Sequence, residues 1–283
     1  MKERLKVLIT VKTYPIPSAK YGELVCTAGV TEAGDFTRLY PVNFRDQPYS
    51  KQYRKYQWIE VEAEKHHGRD TRKESYRPYC DTLVMLGEPI PTKAGDWSAR
   101  GHYVLKNVAR SIEELRERQE HDGTSLGIIR PKIVHDLIAE PTEREWKGSF
   151  LEELRQARLW DDRTASKEPP RKVPFKFQYV FNCDDPRCTG HRMMNEDWEL
   201  GALFWRLIDG GATEAEAVEK VREKFFVEMC GPNHDTHFFV GTILAHRKSW
   251  VVIGSFWPKK SPSEKQRTTP KMQKNPEQKS LFD

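Results

Sequence analysis

The sequence predicts an α+β fold in which a small barrel of short strands is followed by a smaller α+β unit. Short alternating apolar runs fill the first 90 residues, which is typical of strands joined by tight turns. A charged, proline-rich segment at 161–174 has the composition of a linker. The predicted organisation is therefore a barrel-rich domain at 1–160, a linker at 161–174, an α+β domain at 175–257 and a tail at 258–283.

The barrel prediction depends on the spacing of the strands in the first domain. The turn signal Glu32-Ala33-Gly34-Asp35 separates two apolar runs at hairpin distance. Several short strands at this spacing favour a small closed barrel over a parallel sheet. The strands predicted in this region are 4–11, 23–30, 36–42, 58–63 and 82–86.

The remaining elements follow from capping residues and apolar periodicity. Ser111 and Glu114 predict a capping box at the start of a helix from about residue 112, and Thr213 and Glu216 predict a second box. Apolar residues at three- and four-residue spacing continue the helix after Thr213. The other predicted elements are a strand at 125–130, helices at 151–159 and 196–209, a strand at 175–181 and a hairpin of 237–243 with 250–256.

Charge and cysteine content restrict the class of protein. The net charge is +5, but residues 259–283 hold seven basic and three acidic side chains, so the preceding chain is nearly neutral. Overall charge is therefore a poor argument for nucleic-acid binding. Five widely spaced cysteines do not make a disulfide framework. Because no apolar run approaches about 20 residues or resembles a signal peptide, we expect a cytoplasmic protein that does not bind membranes.

The last residues contain a short peptide, Gln278-Lys279-Ser280-Leu281-Phe282. The tail around it has few large apolar side chains, and this composition predicts disorder. The peptide resembles the motif with which bacterial proteins bind the DNA sliding clamp. The resemblance implies that Leu281 and Phe282 fill an apolar cleft, that Gln278 hydrogen-bonds at its edge and that Ser280 favours the turn. Lys279 stands where the motif most often has Leu, which is expected to weaken binding. The alternative is a chance Leu-Phe pair at the chain end.

Cys183, Cys188 and His191 lie within nine residues and carry side chains that bind zinc. A tight loop could bring them to one ion at about 2.0–2.3 Å. The candidates for a fourth ligand are Cys230, His234 and His237. Four protein ligands would make the zinc structural, because a catalytic ion keeps one position for water. The alternative is that the cysteines are buried thiols and the histidine bonds to backbone.

Asp197 and Glu199 follow this loop at the start of a predicted helix. With His191 they could hold a divalent metal, as in metal-dependent nucleases, and they are the candidate catalytic residues. The alternative is structural, because carboxylates at a helix N-terminus are stabilised by the helix dipole.

The segment 26–45 contains a Cys26-x-Ala-Gly strand followed by an aromatic-x-Arg38 strand. It resembles the opening of dual OB-type barrel modules in uncharacterised bacterial proteins. The pattern Cys188-x-Gly-His191 before Asp-Trp-Glu is similar to a bacterial group of unknown function. The first resemblance implies an OB-like barrel whose face could bind a nucleic-acid strand with aromatic and basic side chains. The residues predicted to bind nucleic acid are Arg38, Tyr40, Phe44, Arg45, Arg54, Lys55 and Tyr56.

The alternative for these side chains is that the aromatics fill the barrel and the cations solvate its rim. The hypothesis we favour is a clamp-tethered DNA-binding or DNA-processing accessory protein, in a repair, mobile-element or antiphage context. A metal-dependent nuclease and a protein-binding scaffold are the alternatives. The sequence contains no P-loop, dinucleotide fingerprint, nucleophile elbow or zinc-protease motif.

Overall fold

The computed structural model describes residues 1–18, 22–66, 70–93, 95–148 and 168–260. These residues form a mixed α+β structure with a closed five-stranded barrel in the N-terminal region, so the predicted fold class is confirmed. None of the described helices is long and apolar enough to cross a membrane.

The N-terminal sheet contains seven strands, five of which close into the barrel. They are β1 (Lys2–Lys12), β2 (Ile16–Ser18), β3 (Gly22–Val30), β4 (Phe36–Val42), β5 (Trp58–Lys65), β6 (Ser75–Pro78) and β7 (Val84–Leu86). Around the barrel the order is β1-β3-β4-β6-β5, and β5 returns to pair antiparallel with β1. All of these pairs are antiparallel except β4 with β6. This is the five-stranded Greek-key arrangement of an OB barrel, with β3 and β4 as its second and third strands.

The rest of the described chain builds two further sheets and four α-helices. In chain order the elements are α1 (Ser98–Val104), β8 (Val108–Ala109), α2 (Ile112–Asp122), β9 (Leu126–Ile129), β10 (Pro131–Pro141), β11 (Phe175–Cys183), β12 (His191–Met194), α3 (Trp198–Asp209), α4 (Glu214–Arg222), β13 (His237–Thr242) and β14 (Trp250–Phe256). One sheet has the order β10-β11-β12 and the other β14-β13-β9-β8. A π-helical segment, Glu223–Glu228, continues α4.

Apolar side chains join the barrel to the sheet β14-β13-β9-β8. Leu8 and Val30 of the barrel belong to the same buried cluster as Ile128, Phe239 and Ile253 of that sheet. Helix α3 also packs close to the barrel loop, since a Cβ added to Gly201 would lie 2.3 Å from the Tyr14 ring. The barrel face and the sheet β14-β13-β9-β8 therefore enclose space between them.

The sequence-based elements agree with the structure at most positions. Strand β4 has the predicted bounds, the helix predicted at 196–209 forms from Trp198, and Thr213 makes the predicted capping box. The capping box predicted at Ser111 is confirmed only in part. Ser111 accepts a hydrogen bond from the Glu114 amide, but the Glu114 side chain accepts from the amide of Arg110 and not from that of Ser111. The predicted helix at 151–159 lies outside the described residues.

The longest strand outside the barrel, β10, was not predicted. Its apolar residues do not alternate cleanly, because register shifts near Ile133 and Val134 interrupt its pairing with β11. Strand β9 of the predicted first domain pairs with β13 of the predicted second domain. The two predicted domains thus share a sheet, while their division at 161–174 stays a prediction.

Candidate functional site

The loop between β11 and β12 brings four metal-binding side chains together. Glu113, Cys183, Cys188 and His191 place one ligand atom each within 4.8 Å of one another. The Cys188 sulfur lies 3.3 Å from His191 Nε2, which in turn lies 3.1 Å from a Glu113 carboxylate oxygen. This cluster could hold a metal ion, as we predicted from the positions of Cys183, Cys188 and His191 in the sequence.

The fourth residue of the cluster comes from the first turn of α2 rather than from the segment after α4. Glu113 takes the fourth place in the cluster, and the structure places Cys230, His234 and His237 outside it. Cys230 donates to the Phe225 carbonyl, while His237 Nδ1 lies 3.0 Å from the Asp235 carbonyl. The His234 ring lies beside Trp257.

Hydrogen bonds tie the metal-binding loop to the start of α2. The hydroxyl of Ser111 lies 2.8 Å from an Asp185 carboxylate oxygen, and Arg110 donates to the Asp184 carbonyl. These contacts hold Glu113 against the cysteines. No local spacing in the sequence could have shown this, because strands β9 and β10 lie between Glu113 and the strand that ends at Cys183.

The electrostatics of the cluster set the protonation states that a metal ion would meet. Burial raises the pKa of the Cys183 thiol to about 12, so a thiolate there needs a positive charge beside it. Burial also lowers the pKa of His191, which favours the neutral ring that binds metals. Among the described residues, the second Glu113 carboxylate oxygen is buried without a hydrogen-bond partner. Two sulfurs, one ring nitrogen and one carboxylate oxygen form a donor set that zinc accepts.

Asp197 and Glu199 lie in a different environment, around a buried lysine. Lys55 Nζ lies 2.8 Å from an Asp197 carboxylate oxygen and 3.2 Å from one of Glu199. Asp197 also caps α3 by accepting from the Glu199 amide. Burial alone would lower the pKa of Lys55, but the two carboxylates outweigh it and raise the pKa. Within the described residues His191 joins the other cluster, so the structure gives the nuclease alternative no shared metal centre.

A cleft beside this ion pair collects aromatic and basic side chains, and we name it the tryptophan pocket. It encloses about 470 Å³. Its lining residues are Lys12, Arg54, Lys55, Tyr56, Pro89, Trp97, Arg100, Trp198, Glu199, Ser255 and Trp257. All three tryptophans are half-buried, so each keeps part of its surface exposed.

The cations of the tryptophan pocket lie against aromatic faces. The Arg100 guanidinium lies 4.1 Å from the Tyr56 ring centroid, and Lys12 Nζ lies 4.3 Å from that of Phe44 and 5.3 Å from that of Trp198. The positive charge of Lys55 is offset by the carboxylates of Asp197 and Glu199. In the described part of the chain, Lys12 and Arg100 form no ion pair. Burial and the nearby Lys55 charge lower the pKa of Lys12 to about 8. The buried Tyr56 hydroxyl has no hydrogen-bond partner among the described residues.

A second cleft, the face cavity, lies between the barrel face and the hairpin of β13 and β14. It encloses about 570 Å³. From the barrel it is lined by β3, β4, the segment between β1 and β3 and the loop between β5 and β6, which are the regions where OB barrels bind ligands. The lining residues are Thr13, Tyr14, Ile16, Leu24, Cys26, Arg38, Tyr40, Arg72, Glu196, Gly241, Thr242, Ile243, Leu244, Ala245, Val251 and Ile253.

The seven residues predicted to bind nucleic acid fall into three environments. Arg38 and Tyr40 line the face cavity, whereas Arg54, Lys55 and Tyr56 line the tryptophan pocket. Phe44 is buried in the barrel core, and Arg45 pairs with the buried Glu23.

The structure does not place Phe44, Lys55 and Tyr56 on an open stacking surface. Phe44 is buried in the barrel core, Tyr56 is buried between the barrel and the sheet β14-β13-β9-β8, and Lys55 pairs with the Asp197 carboxylate. Sequence reasoning missed Trp97, Trp198 and Trp257 as a group. These residues are far apart in the chain, and only the packing of α1, α3 and β14 brings them together.

The barrel, the face cavity and the metal-capable cluster together define the class of this protein. It is an OB-barrel protein with a candidate metal centre. The chain belongs to the family described as domain of unknown function DUF8757, which matches residues 108–283. Residues 3–106 match a second family, described as domain of unknown function DUF8758. No curated protein matches the chain.

Proposed function

We propose that the protein binds single-stranded nucleic acid at the tryptophan pocket and is held at DNA by a C-terminal clamp-binding peptide. The observation that carries the proposal is the convergence of three half-buried tryptophans with Lys12 and Arg100 beside an OB barrel. Proteins that bind single strands without sequence preference combine aromatic platforms for bases with cations for phosphates. A half-buried tryptophan suits this role because part of its surface stays available to a base.

The charge pattern of the pocket supports contact with phosphates at Lys12 and Arg100. Lys55 already has two carboxylate partners, and Arg54 pairs with Glu88, so neither adds a free positive charge. Lys12 and Arg100 are therefore the cations available to a strand. A phosphate beside each would release counterions and make binding sensitive to salt.

Replacing Lys12 and Arg100 by methionine tests this proposal directly. We expect the double variant K12M/R100M to bind a fluorescent 20-nucleotide oligothymidylate at least tenfold more weakly, and its salt slope to fall by about 1.4, because each phosphate contact to a single strand contributes about 0.7. Fluorescence anisotropy over a range of salt concentrations measures both quantities. Methionine keeps the apolar stems packed.

The matched control is R118M/K132M, which removes two exposed cations near the metal-capable loop. It should bind as the wild type does. Equal losses in the two double variants would mean that the strand contacts only the general surface charge. No binding by the wild type would leave a protein-binding scaffold as the better account.

The affinity for nucleic acid should also depend on pH through Lys12. Because its pKa is lowered to about 8, Lys12 carries a positive charge at neutral pH and loses that charge as pH rises above 8. An exposed lysine, with a pKa of about 10.4, stays charged over the same range. We expect affinity to fall about threefold to tenfold between pH 7 and pH 9.5 at constant ionic strength. The K12M variant should show a flatter profile. An equal fall in that variant would assign the titration to another group.

The clamp contact rests on Gln278, Ser280, Leu281 and Phe282, which lie outside the described residues. Adjacent apolar anchors in a short peptide give modest affinity, and tethering then raises the local concentration of the barrel at DNA. Purified sliding clamp should retain the intact protein and not the variant L281A/F282A. Equal retention of both would remove the clamp from the account.

The same proposal assigns zinc to the cluster of Glu113, Cys183, Cys188 and His191. Four protein donors around one ion would fill a tetrahedral shell, which is typical of a structural site. The ion would hold the loop between β11 and β12 against α2 and would leave no position for a reacting water.

A further inference from the structure

A third cleft lies between α3 and the π-helical continuation of α4, and we name it the helix groove. It encloses about 780 Å³. Leu203 and Leu207 line it from α3, and Phe225 and Met229 line it from the opposite side. Both leucines are half-buried, so part of this apolar lining stays accessible. Apolar grooves beside helices are typical binding sites for short peptides that carry apolar anchors.

The helix groove and the tryptophan pocket share part of their walls. Four residues line both of them, namely Lys12, Trp198, Glu199 and Trp257. The two clefts are therefore continuous at this point. An occupant of the groove that contacts the shared residues would compete with a nucleic-acid strand for them.

Most of the charges along the helix groove already have partners. Lys220 and Lys224 pair with glutamates of the π-helical segment at 2.7 and 2.6 Å, and Glu199 pairs with the buried lysine described above. In the part of the chain that the structure describes, Lys12 and Arg206 form no ion pair. The groove thus keeps two positive charges beside an apolar lining, which suits apolar side chains flanked by carboxylates.

Residues 277–283 of the same chain carry this combination of side chains. Leu281 and Phe282 are adjacent apolar anchors, and the acidic residues Glu277 and Asp283 stand on either side of them. Two acidic side chains and one lysine give this segment a net charge of −1, although the tail as a whole is basic. Its charge is therefore complementary to that of the groove.

The tail starts at the edge of the helix groove. Trp257 lines the groove, and three residues later the Lys260 amide donates to the Asn233 carbonyl at 2.8 Å. The sixteen residues 261–276 then lead to the acidic segment. A flexible chain of that length has an r.m.s. span of about 20–24 Å. Such a tether gives an effective concentration in the millimolar range, at which even a weak contact is populated.

The length of residues 277–283 also matches the groove. Trp198 and Arg206 are eight residues apart on α3, which corresponds to about 12 Å along the helix axis. Lys12 lies at the Trp198 end, with its Nζ 5.3 Å from the ring centroid. Because seven extended residues span up to about 20 Å, the segment is long enough to reach both cations.

We propose that residues 277–283 dock in the helix groove of their own chain, with Leu281 and Phe282 against its apolar lining and their flanking carboxylates at Lys12 and Arg206. The docked segment covers walls that the groove shares with the tryptophan pocket, so it opposes binding of a strand. A sliding clamp that takes the same two apolar side chains releases the pocket. This consequence rests on the proposed function, whereas the docking itself needs neither clamp nor nucleic acid.

Photo-crosslinking from position 282 tests the docking alone. Phe282 is replaced by the photoreactive p-benzoylphenylalanine in the full chain, the protein is irradiated without clamp or nucleic acid, and crosslinked peptides are identified by mass spectrometry. We expect crosslinks within one chain to α3 or to the π-helical segment. Crosslinks confined to other surfaces, or none at all, would overturn the docking. Crosslinks that join two chains would make a second copy the donor of the peptide and overturn it as well.

Two alanine-to-tryptophan variants locate the contact. Ala202 is exposed and lines the helix groove but not the tryptophan pocket, whereas Ala215 is exposed on α4 and lines neither. A202W fills the groove and should abolish the crosslinks, while A215W should keep them at the wild-type yield. Both positions are exposed helix sites, so both variants should give the circular dichroism spectrum of the wild type. Crosslinks that survive A202W would place the peptide outside the groove.

The competition with nucleic acid is measured by anisotropy with the same oligothymidylate. L281A/F282A should bind it about threefold to tenfold more tightly than the wild type, because a closed fraction of molecules lowers the apparent affinity in proportion. Saturating sliding clamp should raise the wild-type affinity by the same factor and leave that of L281A/F282A unchanged. Equal affinities of the two proteins would overturn the competition.

Failure of this assignment and failure of the proposed function give different results. Oligonucleotide binding without crosslinks to the groove would keep the proposed function and end the docking. Crosslinks to the groove without oligonucleotide binding by the wild type or by L281A/F282A would keep the docking and end the proposed function.

Discussion

Replacing Asp197 by alanine is expected to lower the free energy of unfolding by about 3–5 kcal/mol, the typical cost of removing one partner of a buried ion pair. The Lys55 ammonium would keep its buried position with Glu199 as its remaining partner, and would lose both Asp197 oxygens, which lie at 2.8 and 2.9 Å. The variant would also lose the cap of α3, since the Glu199 amide donates to Asp197. Urea denaturation followed by circular dichroism measures the change.

The double variant K55M/D197A is the matched control for this effect. With the lysine charge removed, most of the lost stability should return, because the penalty comes from a buried charge that has lost its closer partner and keeps only Glu199. E88A, which removes the partner of the exposed Arg54, should cause no measurable change. If D197A and E88A have the same stability, the Lys55–Asp197 contact does not contribute as we describe.

Removal of the metal is expected to have the second large effect. At free zinc about 1,000-fold above the dissociation constant, binding stabilises the fold by about 4 kcal/mol. For a chain of this size that corresponds to a fall of roughly 8–16 °C in Tm after chelation. Elemental analysis should find one zinc per chain in the wild type and none in C188A, and differential scanning calorimetry measures the shift.

The identity of the fourth ligand is tested by E113Q and C230A. E113Q removes the carboxylate and should weaken zinc binding at least tenfold. C230A alters a thiol bonded to the Phe225 carbonyl, outside the cluster, and should keep the wild-type affinity. The opposite order of effects would return Cys230 to the site and remove Glu113 from it.

Local patterns in the sequence were enough to predict the barrel strands β1, β3, β4 and β5, but the fifth barrel strand, β6, and helix α1 were missed. Alternating apolar residues define β5, and side-chain caps define the starts of α3 and α4, because these features depend on neighbours within a few residues. Three of the four residues in the metal-capable cluster were predicted for the same reason. Glu113 was not, since its approach to Cys183 depends on how α2 packs against the loop.

The two clefts depend on tertiary packing even more. Trp97, Trp198 and Trp257 have ordinary positions in their own elements, and nothing near them in the chain marks them as one group. Arg38 was predicted to lie on an open face, but the β13–β14 hairpin covers that face and buries the side chain. Burial by a distant hairpin cannot be read from a β-strand pattern, which shows only which residues share a face.

The central claim is that a nucleic-acid strand lies in the tryptophan pocket, and photo-crosslinking tests it most directly. An oligothymidylate carrying 4-thiothymidine is bound to the full chain and irradiated, and the crosslinked peptides are identified by mass spectrometry. The account predicts crosslinks to peptides that contain Trp97, Trp198 or Trp257, lost in K12M/R100M. Crosslinks confined to other surfaces, or unchanged in that variant, would contradict it.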